Sequence, residues 1–264
     1  MKLKRVTITG ADEAVTPEQL GALTDKYPLV EWAILFSKNK QGSGRYPGPE
    51  WTSNLQAYWD ERDDLPLAAH ICGQWTTEFV KGKFTFGEEE FDSYGRLQVN
   101  MTDDTFMALD FQKLLDTYRA GQGIELDFCP SIILQTKRAF QRHEWLALIN
   151  KNLRDEYLKH YRFDDDKPGP AGPEELFQFH MLYDVSGGKG KQPKTWHPPA
   201  EGVQCGYAGG IGPDNVVEIL KKIGDVVGET PFWIDMETKV RDEADKFDIA
   251  RVESVLEQVH TYLA

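Results

Sequence analysis

The chain has 264 residues, with 30 Lys+Arg against 43 Asp+Glu and a formal charge of −13. Hydrophobic residues make up 40% and aromatics 12%, enough to bury a sizeable core, which excludes global disorder. The acidic balance offers no basic stripe, which excludes a nucleic-acid backbone reader and a protein held on anionic lipid, and no run reaches the roughly 18 apolar residues of a membrane span.

Val6-Thr7-Ile8-Thr9 reads as a first strand ending at Gly10. Thr16-Pro17-Glu18-Gln19 has the form of a helix start: Thr at the cap, Pro at the first position, Gln three after the cap. Leu29 to Ser37 is a second, almost wholly apolar run, followed by a Gly-rich loop and a helix over Pro49 to Asp60. Leu67 to Cys72 and Leu97 to Met101 are the third and fourth strands. Phe106, Leu109, Leu114, Leu115 and Tyr118 mark the helix that comes next. A fifth strand lies within Ile124 to Leu134, then a helix over Glu144 to His160. Phe177 to Val185 is the sixth strand, Gln204 to Ala208 the seventh and Phe232 to Asp235 the eighth. Helices over Asn215 to Ile223 and Ile249 to Leu263 flank the last of them.

Continuously apolar runs followed by helical patterns indicate parallel βα units. Periodicity alone does not separate a doubly wound sheet from a barrel. The count of eight and the length favour a single (β/α)8 TIM barrel over residues 1–264. The sixth unit departs from the pattern. Between Val185 and Gln204 the chain is rich in Gly, Pro and Lys, so a long, helix-poor loop is expected after strand six. Cys72, Cys129 and Cys205 are far apart with no CxxC spacing. Neither a disulfide framework nor a zinc ribbon is indicated, and the expectation is a metal-independent, cofactor-free protein in the reducing cytoplasm.

In such a barrel, chemistry sits at the C-terminal ends of the strands. Strand three ends with His70 and Cys72, strand five with Asp127 and Cys129, strand six with Asp184, and strand eight with Asp235 and Glu237. Asp184 precedes Ser186-Gly187-Gly188-Lys189-Gly190-Lys191, a loop with both flexibility and positive charge. Gly209-Gly210 closes strand seven and Pro213-Asp214-Asn215 opens a helix, where glycine lets an anion approach the backbone. Lys38, Arg45, Lys189, Lys191, Lys239 and Arg241 gather at the expected mouth, a locally basic cup on an acidic protein.

At these residues the sequence resembles phosphoribosylanthranilate isomerase. Ile8-Thr9-Gly10 stands where that family has Lys-Ile-Cys-Gly. Ser37 with Arg45-Tyr46 resembles its Ser-x-Arg-Tyr loop. Leu182-Tyr183-Asp184 and Gly187-Gly188-Lys189-Gly190 resemble its Leu-Leu-Asp strand and Gly-Gly-x-Gly loop. Ala208-Gly209-Gly210-Ile211-Gly212-Pro213-Asp214-Asn215-Val216 resembles Ala-Gly-Gly-Leu-x-Pro-Glu-Asn-Val. The resemblance implies Asp184 as general acid, Arg45 on a substrate carboxylate and Gly209 and Gly210 at a phosphate.

Two positions depart from the pattern. Thr9 replaces the family's cysteine base, and Met236-Glu237-Thr238 replaces Ser-Ser-Gly. An unactivated hydroxyl does not act as a base near neutral pH, so the tryptophan-pathway reaction itself is not expected. The expectation is isomerase- or lyase-type acid–base chemistry on a small phosphorylated sugar or nucleotide-like metabolite. Asp184 would be the acid, with His70, Cys72 or Glu237 in place of the lost base. Arg45, Gly187, Gly188, Lys189, Gly209, Gly210 and Arg241 would bind the ligand's anionic groups. The alternative is a non-catalytic protein that binds or sequesters a phosphorylated ligand. No nucleic-acid or membrane partner is expected, and the chain is read as a monomer or homodimer.

Overall fold

The computed structural model describes residues 1–62, 64–83, 91, 93–114, 116, 131–137, 143–160, 179–187 and 189–263. Eight strands close into a parallel barrel in sequence order. They are β1 (Lys2–Thr9), β2 (Val30–Phe36), β3 (Leu67–Ile71), β4 (Arg96–Val99), β5 (Ser131–Thr136), β6 (Phe179–Asp184), β7 (Cys205–Ala208) and β8 (Pro231–Met236). The principal helices are α1 (Pro17–Lys26), α2 (Pro49–Glu61), α3 (Gln74–Val80), α4 (Asp103–Met107), α5 (His143–His160), α6 (Val216–Val227) and α7 (Ile249–Leu263). No described helix is long and apolar enough to cross a membrane.

The expected capping box is present at α1. The Thr16 hydroxyl accepts from Gln19 N, and Thr16 N donates to the Gln19 side chain. The helix-poor loop after β6 is also found: 185–187 and 189–204 contain no helix. Two expectations change. α3 was not read from the sequence, because Thr76, Thr77, Phe79 and Val80 have weak helix propensity. Burial of Trp75 and Phe79 against the barrel outweighs it. The fifth strand, expected within Ile124 to Leu134, is β5 from Ser131 and runs two residues further, to Thr136. Asp127 and Cys129, expected at the end of this strand, precede it in the chain and lie outside the described residues.

Side chains alternate across each strand. One set, including Ile8, Trp32, Ile71, Leu134, Tyr207 and Ile234, packs outward in the large apolar core beneath the helices. The other set points into the barrel, where the interior is far more polar than the Val, Ile and Leu layers usual for this architecture. Glu31, Arg96, His180 and Trp233, from the four even strands, form its deepest layer. Glu31 Oε1 accepts from Arg96 Nε at 2.8 Å and from Arg5 at 3.1 Å, and Oε2 accepts from Thr7 Oγ1 at 2.8 Å. Burial opposes ionisation of Glu31, but the Arg96 and Arg5 guanidiniums outweigh it and hold the carboxyl down to about 2. Arg96 also stacks its guanidinium 4.7 Å from the Trp233 ring.

His180 meets the same ring edge-on at 5.8 Å. Burial, reinforced by Arg96 and Arg5, pushes its imidazole down to about 3. The native barrel therefore refuses a proton that the unfolded chain accepts below about pH 6.5, and stability is lost as pH falls through that window. His180→Phe removes this term. It should gain on wild type by about 1.4 kcal/mol per pH unit between roughly pH 6 and 4. Urea midpoints measured across that range test it, and a constant difference between the two proteins would refute a neutral buried His180.

Candidate functional site

A cavity of about 360 Å3 opens at the C-terminal ends of the strands. That is the size of a small-molecule site. Three carboxylates line it: Asp184 from β6, Asp235 from β8, and Glu237 just after β8. Two cations line it as well, Lys137 after β5 and Lys239 in the 3-10 turn Thr238–Val240. Neither lysine has a carboxylate partner among the described residues. His70, Gln98, Asn100 and Gln135 supply neutral polar groups from β3, β4 and β5. Among the described residues no group of three His, Cys, Asp or Glu is placed to hold a metal ion.

Asp184 is 5% exposed. Its Oδ2 accepts from Gln135 Nε2 at 2.6 Å, and its Oδ1 accepts from Ser186 N at 2.9 Å and Ser186 Oγ at 2.8 Å. These donors converge on one carboxyl group from β5 and from the loop after β6. Asp235 is equally buried, and its Oδ1 accepts from Thr9 Oγ1 at 2.7 Å. Burial pushes this carboxyl up to about 7, and the nearby Asp184 and Glu237 charges add to the rise against the Thr9 hydrogen bond. Thr9, the residue standing where the resemblance puts a cysteine, is thus the hydrogen-bond donor to a carboxyl poised to exchange a proton near neutral pH.

His70 and Cys72 also line the cavity. His70 Nδ1 lies 3.2 Å from Gln98 Nε2, and Gln98 in turn donates to Asn100 Oδ1 at 2.9 Å. Burial pushes His70 down to about 3, so it stays neutral. Asn100 Nδ2 donates to Cys72 Sγ at 3.1 Å, and the Tyr46 hydroxyl also hydrogen-bonds the thiol. Burial raises the Cys72 thiol, away from the thiolate that would act as a base.

The expected basic cup does not assemble. Lys38 pairs with Glu78 at 2.7 Å and does not line the cavity. Arg45 is held by Glu237 Oε1 at 2.5 Å and by Asp245 at 2.8 Å, and does not line the cavity. Arg241 is 2% exposed and bonded to the Gly10 carbonyl, Asp12 and Asp245, a clasp between the first and last loops rather than a cavity group. Lys189 is exposed and outside the lining, whereas Gly187 is in it. Gly188 lies outside the described residues.

Gly209 (φ +120°) and Gly210 (φ +66°) line the cavity in backbone conformations that disfavour side chains. A Cβ on Gly209 would meet the Lys191 carbonyl at 2.8 Å, and one on Gly210 would meet the Gly190 carbonyl at 2.8 Å. The pair therefore serves first to let the loop after β6 lie directly on the turn, leaving its other side open to the cavity. Asn215 fixes that turn by accepting from Gly212 N at 2.9 Å and donating to the Gly210 carbonyl at 2.8 Å.

Lys137 and Gln135 stood outside the candidates drawn from the sequence, and Asp235 stood among the strand-end residues without an assigned role. The signal that finds them is the two-residue alternation of the strands. Residues 98, 135, 184 and 235 all share the inward face that carries the polar interior, while their neighbours enter the outer core.

The fold can be compared with solved structures. TrpF from Jonesia denitrificans is 12% identical over 98% of both chains, with a TM-score of 0.54. Phosphoribosyl anthranilate isomerase from Thermus thermophilus is 14% identical over 97% of this chain and 98% of that one, with a TM-score of 0.49. A phosphoribosyl anthranilate isomerase in complex with reduced 1-(o-carboxyphenylamino)-1-deoxyribulose 5-phosphate is 12% identical over 99% and 100%, with a TM-score of 0.48. No protein-family model matches the sequence, and no curated protein matches it. The likeness to TrpF shows a shared barrel fold.

Proposed function

We propose that this phosphoribosylanthranilate isomerase-like barrel is an acid–base enzyme of the isomerase or lyase type, acting on a small phosphorylated, sugar-like metabolite. The observation that carries the reading is Asp235, a carboxyl raised to about 7 in a cavity it shares with the hydrogen-bonded carboxylate of Asp184. A general acid and base work best with pKa values near the operating pH and with environments that differ. Asp235 holds the proton and gives it to a substrate oxygen. Asp184, already surrounded by donors, takes one from the adjacent carbon. Returning protons to the opposite positions completes an isomerisation with no net gain or loss. This assignment exchanges the roles that the sequence resemblance implied, since Asp184 is read there as the acid. His70 and Cys72 remain neutral in it and line the floor. Lys239 and the Gly209-Gly210 turn receive the phosphate, where cationic charge and close backbone approach coincide.

The test uses sugar phosphates incubated with the protein in D2O. Carbon-bound deuterium appearing in one of them, and absent with Asp235→Asn, is the expected result. A phosphate ester that raises the melting temperature but is recovered unexchanged would instead favour the non-catalytic sequestering protein. If no phosphate ester binds, the reading fails in both forms.

A further inference from the structure

The resemblance assigns Arg45 to a substrate carboxylate, but the structure has already satisfied that guanidinium. Its Nε donates to both oxygens of Asp245 at 3.0 Å, and its Nη1 donates to Glu237 Oε1 at 2.5 Å and Thr238 Oγ1 at 3.1 Å. What reaches the cavity in its place is Glu237. One oxygen of that carboxylate is fixed by Arg45, while Oε2 has no protein partner among the described residues. The side chain keeps 21% of its surface open. A carboxylate with one oxygen anchored and one free is an acceptor of set direction. It repels a ligand carboxylate and accepts hydrogen bonds from neutral hydroxyls, the stronger for being charge-assisted. The neighbouring cavity groups, Asn100, Gln135 and Asp184, are likewise suited to hydroxyls rather than to a second anion.

We infer that Glu237 is the specificity-determining residue of the site, that its free Oε2 accepts a hydrogen bond from a ligand hydroxyl, and that Arg45 is its positioning residue rather than an anion anchor. The inference rests on the phosphorylated-ligand reading above and narrows it. The substrate is a hydroxylated phosphate ester without a carboxylate at that end. The geometry makes two further demands. Loss of Arg45 frees the Glu237 carboxylate to turn, so the two residues act as a unit, and neither contributes to holding the phosphate.

Calorimetric titration with three probes tests this: ethyl phosphate, which has no hydroxyl, glycerol 3-phosphate, which has two, and 3-phosphoglycerate, in which a carboxylate replaces the terminal hydroxymethyl group. Wild type should bind glycerol 3-phosphate about tenfold more tightly than ethyl phosphate and should disfavour 3-phosphoglycerate. Glu237→Ala and Arg45→Met should each erase the hydroxyl preference while leaving the ethyl phosphate affinity within about twofold. The double variant should be no worse than either single one. Thermal melts and circular dichroism report whether each variant is folded, independently of any ligand. A hydroxyl preference that survives Glu237→Ala overturns the inference. So does an Arg45→Met variant that loses ethyl phosphate, because Arg45 would then be an anion anchor. Equal binding of all three probes by wild type overturns it too while leaving the phosphate reading intact, whereas no binding of any probe ends both.

Discussion

Asp235→Asn will be more stable than wild type at pH 8 and will have lost proton transfer. The Asp235 carboxyl titrates near 7 in the folded barrel, against a reference of 3.8. Between those values the native state keeps a proton that the unfolded chain releases, so stability falls as pH rises and the penalty is complete above about pH 7. Three pH units correspond to a ceiling of about 4 kcal/mol. Asparagine retains an oxygen to accept from Thr9 Oγ1 and has no charge to bury. The gain over wild type should therefore be at least about 1 kcal/mol larger at pH 8 than at pH 5, read from urea midpoints at the two values. A gain that is equal at both would mean that the carboxyl is not raised. The accompanying loss of deuterium exchange should be on the order of 100-fold or more, the usual contribution of a positioned acid or base. Stability rising while turnover falls is the signature of a group held in an unfavourable state for its chemistry.

Arg96→Met will be among the most damaging single substitutions in the barrel. Arg96 is 6% exposed, and its loss leaves Glu31, 1% exposed, ionised with only the half-exposed Arg5 in reach. Breaking one side of a buried pair costs about 3–5 kcal/mol, whereas replacing both sides by apolar groups of similar volume is often close to neutral. Glu31→Leu combined with Arg96→Met should therefore recover most of what Arg96→Met loses. Denaturant unfolding of the two singles and the double makes the comparison. A double variant as unstable as the sum of the singles would show that the layer is held by shape and by Thr7 and Trp233, not by the charge pair.

Much of the fold was legible along the chain. Leu29 to Ser37 and Leu67 to Cys72 are nearly continuous apolar runs, Val6-Thr7-Ile8-Thr9 alternates apolar residues with β-branched threonines, and each forms a barrel strand. Such runs are readable because a parallel strand covered by helices buries its outer face whatever lies within. The interior was less legible. Glu31 inside the most apolar run of the chain, and Arg96 at the start of β4, pair across two strand positions separated by 65 residues. α3 was missed because its residues favour strands locally and become helical only where Trp75 and Phe79 find the barrel.

The candidate site divides in the same way. The sequence by itself determined a succession of parallel βα units, the helix-poor loop after β6, and the strand ends that carry Asp184, the Gly209-Gly210 turn and Glu237, because strand patterning and chain order are local properties. Only the tertiary structure decided which charges neutralise one another. Arg45 and Glu237 are 192 residues apart in sequence and 2.5 Å apart in space. That contact, with the clasp at Arg241, turns a cup expected to be basic into one that carries three carboxylates. Only the tertiary structure raised Asp235 above its neighbours. The energy of a charge depends on the water removed from it and on the distance to other charges, and both are set through space, not along the chain.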